Sequence, residues 1–111
     1  NTTDKNRENL KSINKLEKGG LSGKPIEHIS NEVIRKFYKI LGNKIKIIGV
    51  GGVSTGQDAF EKLISGASLV QLYTGMVYRG PEIASKISYE LIDLLKNNGF
   101  KNVSEAIGTK N

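Results

Sequence analysis

The sequence predicts an α/β protein in which parallel strands alternate with helices, and three observations carry that expectation. The run IKIIGV at 45–50 is nearly continuous apolar, β-branched sequence, the pattern of a strand buried on both faces and hence of a parallel sheet. A second apolar run, ASLVQLY at 67–73, follows after one helical period, so strand, helix and strand fit within about 30 residues, the span of a right-handed βαβ unit. Amphipathic helical patterns also lie before and after this unit, where the covering layer of such a sheet belongs.

In chain order, residues 1–25 come first: NTTDKNRENLKSINKLEKGGLSGKP is polar, lacks a clean period and closes on Gly19-Gly20, Gly23 and Pro25, which is loop chemistry. A loop of about 25 residues is long for a compact domain and asks for a function. Ser30 is placed to cap a helix whose Val33, Ile34, Phe37, Ile40 and Leu41 share one face, ending at Gly42. The 45–50 strand follows. Ser54 with Gln57 then fits a capping box, Ala59, Phe60, Leu63 and Ile64 form the buried stripe, and Gly66 stops the helix. After the 67–73 strand, Pro81 suits the first position of a further helix with Ile83, Ile87, Leu91, Leu94 and Leu95 inward and Gly99 at its end. A short turn at 103–107 completes the chain. Two apolar strands cannot close a sheet, so neighbours on both edges are expected from sequence preceding Asn1. The absence of an initiating Met agrees with a cut or processed piece.

Composition narrows the chemistry. The chain has 111 residues, one small domain's worth and well short of the about 200 to 400 of a complete barrel enzyme. It has no Cys and a single His, His28, which excludes a disulfide framework and leaves little for a zinc centre. No apolar run reaches 18 residues, so no membrane-spanning helix is expected. The net charge of +6 sits wholly in residues 1–46, with 11 basic against 5 acidic side chains. A basic surplus suits nucleic acid, anionic lipid or an anionic small ligand, but the lysines are scattered singly without stacking aromatics, which argues against nucleic acid.

The glycines of GVGGV at 49–53 lie where the first strand meets its loop. At the carboxyl end of a parallel strand they let backbone approach a ligand, and amides at the following helix start can bind an anion. A dinucleotide fingerprint would need Gly or Ala at position 54, where Ser54 stands, and an acidic residue near the next strand's end, where Tyr73-Thr74-Gly75 stands. A P-loop fails as well, because Gly23-Lys24 is followed by Pro25. What remains is the phosphate cradle of a (β/α)8 barrel, with Gly51-Gly52 as one wall and Tyr73-Thr74-Gly75 as the other. The alternative from spacing alone is a tight strand-to-helix turn beside a core aromatic, Tyr73, with a wet hydroxyl.

Several stretches in fixed order, NTT at 1–3, GGLSGKP at 19–25, IIGVGGV at 47–53, GQDA at 56–59 and GASLVQLYTG at 66–75, resemble class 2, quinone-linked dihydroorotate dehydrogenase. The resemblance covers essentially the whole chain and corresponds to the C-terminal portion of such an enzyme. It implies the last βα units of a (β/α)8 barrel as one FMN-binding domain, with 1–25 as a substrate and lid loop and 26–111 carrying the phosphate site. It implies oxidation of dihydroorotate to orotate in pyrimidine synthesis, with a ubiquinone-type quinone as electron acceptor. By resemblance Asn1 and Thr2 bind the pyrimidine, Ser22 and Gly23 lie at the FMN phosphate, Gly51 and Gly52 contact it, and Tyr73 with Thr74 complete the cradle. Residues 4–17 become an active-site lid, expected to be mobile without substrate, the alternative being a disordered tail created by a cut at Asn1. The catalytic base, a serine in this class, and the flavin-proximal lysine are expected upstream, so no catalytic residue is assigned within the chain. The quinone tunnel and a peripheral attachment to a bacterial or mitochondrial inner membrane are likewise expected upstream.

Outside these motifs, His28 is expected exposed, Asp58 and Glu61 form a helix-surface pair in which Asp58 can support the cap, and Arg79 is a solvated loop residue, the alternative being that it faces an anion. The rival functions are another phosphate-binding barrel, such as a sugar-phosphate isomerase or synthase, and a basic binding module acting through residues 1–46.

Overall fold

The computed structural model describes residues 7, 10–15 and 18–111. A 3-10 turn at Lys24–Ile26 leads into α1 (Glu27–Leu41). There follow β1 (Ile48–Val50), α2 (Gly56–Ile64), β2 (Leu69–Gln71), α3 (Thr74–Arg79), α4 (Ile83–Asn97) and α5 (Val103–Ala106). β1 and β2 are parallel, with Ile48 opposite Leu69, Gly49 opposite Val70 and Val50 opposite Gln71, and α2 makes the crossover between them. The strand-helix-strand reading therefore holds, although both strands are shorter than the apolar runs that announced them. A ladder exists only where two strands meet, and the bonds from Ser68 and Leu69 to the Ile47 carbonyl mark its near end.

Two apolar clusters hold the helices to this unit. Val53, Ala59, Ile83 and Ile87 are buried together with Val70 and Leu72 against them. Phe60, Leu95 and Ala106 form the second cluster, joined by Ile64, Leu91, Leu94, Phe100 and Val103. The rings of Phe60 and Phe100 meet at 6.3 Å between centroids with a 49° tilt, a pairing that adds about 0.5–1.5 kcal/mol beyond area burial. The inward stripe read for α4 and the Ala59, Phe60 and Leu63 stripe of α2 are thus found as expected. The 103–107 turn is a single helical turn whose start is capped by the Asn102 side chain, which accepts from the Glu105 amide.

Several local expectations are corrected. Ser30 is not a cap: α1 starts earlier, out of the 3-10 turn, and Ser30 lies buried within it, donating to the Val50 carbonyl. The buried side of α1 is Ser30, Asn31 and Ile34, while Phe37 and Ile40 are 54% and 78% exposed. The α2 box is one residue later than read. The Thr55 hydroxyl accepts from the Asp58 amide at 3.2 Å, and the Asp58 carboxylate accepts from the Thr55 amide at 3.0 Å. Pro81 precedes α4 rather than opening it, and α3 stands where the sequence suggested strand end and loop. Among the described residues, no helix is long and apolar enough to cross a membrane.

Candidate phosphate-binding site

Both β strands end on the same side, and their following loops face each other across a cavity of about 430 Å³. Ser22, Gly23, Gly51, Gly52, Tyr73 and Thr74, singled out from three separate stretches of sequence, all line it. Val50, Val53, Gln71 and Leu72 also contribute wall, and they escaped the sequence reading because strand-end residues of ordinary type carry no local signal. Asn1 and Thr2 lie outside the described residues, as does much of the 4–17 lid stretch. Of that stretch, the Arg7 guanidinium donates to the Lys15 carbonyl at 2.9 Å and to the Gly19 carbonyl.

The three stretches interlock. The Thr74 hydroxyl donates to the Ser22 hydroxyl at 2.9 Å, and a Cβ placed on Gly23 would sit 3.0 Å from the Thr74 methyl. Gly75 packs so closely on the other wall that a Cβ there would lie 2.4 Å from the Val53 carbonyl oxygen. Gly52 has φ +76, and its added Cβ would be 2.5 Å from the Glu27 Cβ and 2.7 Å from the Glu27 Cα. Only glycine satisfies both the backbone angle and the space at that point. Arg79 is not a free loop residue: it donates to the Ser54 carbonyl at 2.7 Å and ties α3 to the loop after β1. Tyr73 is 82% exposed on the rim of the cavity.

The donors available to an anion differ from those first expected. The amides at the start of α2 are spoken for, since Ser54 and Thr55 donate to Asp58 and Gly56 donates to Glu90. The Gly52 and Thr74 amides, one on each wall, have no hydrogen-bond partner among the described residues. Paired orphan donors and hydroxyls in a water-accessible cavity favour a group rich in acceptors.

A layer of charged groups lies behind the glycine wall. Asp58, read as a surface residue, is 3% exposed and takes Lys24 at 2.7 Å besides the two amides. Burial acts to raise its carboxyl, but the bond from Lys24 and those from Ser54 and Thr55 outweigh it and hold the group below the ordinary carboxylate range. Lys24 also pairs with Glu27, and these bonds to Asp58 and Glu27 raise its ammonium pKa. Lys62 is fully buried and donates to the Ser30 hydroxyl at 3.0 Å and the Asn31 side-chain carbonyl at 2.9 Å. Desolvation lowers its pKa to about 8, against the raising influence of Glu27 and Asp58 and with that of Lys24. Glu61 is partly exposed as expected, paired with Lys110 at 2.7 Å, and His28 is exposed on α1.

Comparison with known proteins bears directly on this geometry. Residues 1–95 match the family model described as dihydroorotate dehydrogenase. A mitochondrial dihydroorotate dehydrogenase (quinone) of Mus musculus is 49% identical over 108 residues, 97% of this chain and 27% of that protein. A dihydroorotate dehydrogenase (quinone) of Haloarcula marismortui is 50% identical over 97% of the chain and 30% of its own length. The crystal structure of the Eimeria tenella protein in complex with ferulenol superposes with a TM-score of 0.93 at 42% identity, over 98% of this chain and 29% of that one. The chain therefore spans less than a third of these relatives, and its two βα units are a portion of their (β/α)8 barrel.

Proposed function

Because the chain belongs to the dihydroorotate dehydrogenase family, we propose that it forms the cofactor-phosphate wall and part of the substrate site of a quinone-linked enzyme. That enzyme oxidises dihydroorotate to orotate in pyrimidine synthesis with FMN as its bound cofactor. The observation that carries the reading is the convergence of Ser22, Gly23, Gly51, Gly52, Tyr73 and Thr74 on one cavity. Matching relatives named for their quinone dependence support the electron acceptor.

The residues present fit a flavin mononucleotide phosphate on three counts. Gly52 presents backbone where any side chain would collide with Glu27. The Gly52 and Thr74 amides, in residues that line the cavity from its two loops, have no hydrogen-bond partner among the described residues. The Ser22 and Thr74 hydroxyls, already bonded to each other, add donor and acceptor capacity at the same rim. When bound, FMN supplies a ring able to accept hydride from the substrate and pass electrons on to quinone. This chain's part is to anchor and orient: rigid glycine walls hold the anion, and Asn1 and Thr2, through amide and hydroxyl, bind the pyrimidine. Residues 1–25 serve as substrate and lid loop and 26–111 as the last βα units of a single domain. The catalytic base, the quinone tunnel and attachment to a bacterial or mitochondrial inner membrane belong to residues outside this chain.

The test is on the full-length protein. Purification should yield a bound flavin and dihydroorotate-dependent reduction of a quinone. A protein that comes without flavin and acts on a sugar phosphate instead would refute the assignment.

A further inference from the structure

Lys62 has no place in the reading above, yet it is the most deeply buried cation among the described residues. Its side chain passes under the strand that leads to the glycine wall: a Cβ added to Gly49 would lie 3.1 Å from the Lys62 Cδ. Its ammonium donates to Ser30, and Ser30 in turn donates to the Val50 carbonyl, the last residue before Gly51. The Ser30 hydroxyl oxygen is itself only 3.3 Å from where a Cβ on Gly51 would stand. One hydroxyl thus separates the ammonium from the wall of the cavity.

No carboxylate bonds to this ammonium among the described residues; its hydrogen-bond partners are the neutral Ser30 and Asn31. The charged groups that act on it are Glu27 on α1, Asp58 on α2 and Lys24 in the preceding turn. Glu27 and Asp58 both bond to Lys24, so Lys62 is the second ammonium facing two carboxylates and reaches them through space rather than by a hydrogen bond. A buried charge without a hydrogen-bonded counter-ion is costly.

Resting on the phosphate-site reading, we infer that Lys62 is the buried counter-charge of the cavity: through Ser30 it positions the Gly51–Gly52 wall, and it favours a dianionic phosphate over a neutral group. Two consequences follow by linkage. A bound dianion stabilises the charged ammonium, so phosphate binding takes up a proton in alkaline solution, where the empty protein holds Lys62 partly neutral. The advantage of a phosphorylated over an unphosphorylated ligand is therefore largest below about pH 8 and falls above it. The fall is roughly tenfold for each unit by which the bound phosphate raises the Lys62 pKa.

The experiment measures dissociation constants of FMN and of riboflavin, the same ring and chain without phosphate, on full-length apoprotein between pH 7 and 10. The expected result is an FMN preference that drops at least several-fold across this range. In Lys62→Arg, whose charge does not titrate, the preference persists with a flat profile. In Lys62→Met it is small at every pH. Independently of any variant, lysine-selective NMR of the unsubstituted protein should show one lysine titrating near 8 and moving upward when FMN binds. An FMN preference that is the same at all pH values and in Lys62→Met, with no lysine resonance moved by FMN, overturns this inference and leaves the phosphate site standing. Equal binding of FMN and riboflavin by the unsubstituted protein throughout overturns the phosphate site itself, and the role of Lys62 with it.

Discussion

Gly52 cannot carry a side chain without moving the start of α1, because its backbone angle and the Glu27 main chain both stand in the way. Gly52→Ala should cost about 1–3 kcal/mol of stability and abolish most flavin retention, read by denaturant titration and by the flavin content of purified full-length protein. Thr74→Val keeps the shape but leaves Ser22 without its partner. A loss of about 1 kcal/mol, or roughly five- to tenfold in FMN affinity, is expected. Asp58→Asn weakens the α2 cap and the Lys24 pair together and should cost about 1–2 kcal/mol. Because the folded Asp58 carboxyl lies below its ordinary 3.8, its contribution is complete above that value and disappears as pH falls through the lower folded pKa. That acid-side loss should be absent from the Asn variant. Lys62 has the opposite sense: between about 8 and 10.5 the unfolded chain holds a proton that the folded chain has released, so its contribution to stability rises with pH across that window. Gly51, Gly52, Tyr73 and Thr74 were legible as glycine, aromatic and hydroxyl types after two parallel strands, a pattern that a tight turn also satisfies, whereas Ser22 and Gly23 were legible only through the family resemblance. Asp58 and Lys62 were not, since a charged residue in the run DAFEK reads as solvated until α1 and Lys24 are seen to cover it.

At the level of elements, the α2 and α4 stripes were legible because an apolar face at helical period has to bury itself. Phe60 is the knot between them, so Phe60→Ala should cost about 3–5 kcal/mol and unfold the full-length protein at a markedly lower denaturant midpoint. The cap of α2 was read one residue early because Ser54 and Thr55 are both capable of the role. The choice falls to Thr55 because Asp58, three residues on, completes the box. The short α3 was hidden behind Tyr73-Thr74-Gly75, where Gly75 reads as a helix breaker. The glycine is there for space rather than to break the helix, since a Cβ at position 75 would lie 2.4 Å from the Val53 carbonyl oxygen. Ser30 resembles a cap in sequence for a related reason: a serine before an apolar face suits a helix start, and only packing turns it inward to the Val50 carbonyl.

On the scale of the whole molecule, the apolar strands called for neighbours, and the structure leaves Ile48 and Leu69 exposed on the two-stranded sheet, Ile45 exposed in the approach to it, and Phe37 and Ile40 exposed on α1. The relatives are more than three times as long, and this chain corresponds to a portion of their barrel. The 111-residue segment by itself should therefore bind a hydrophobic dye and unfold without a sharp transition, whereas the full-length protein should do neither. Sharp, dye-silent unfolding of the isolated segment would show that these faces need no cover. The central claim is that two loops from successive parallel strands grip one phosphate between them. The direct measurement is a crystal structure of the full-length protein with its flavin, in which the phosphate oxygens should accept from the Gly52 and Thr74 amides at about 2.7–3.2 Å. A flavin whose phosphate is held elsewhere, with this cavity filled only by solvent, would contradict the account.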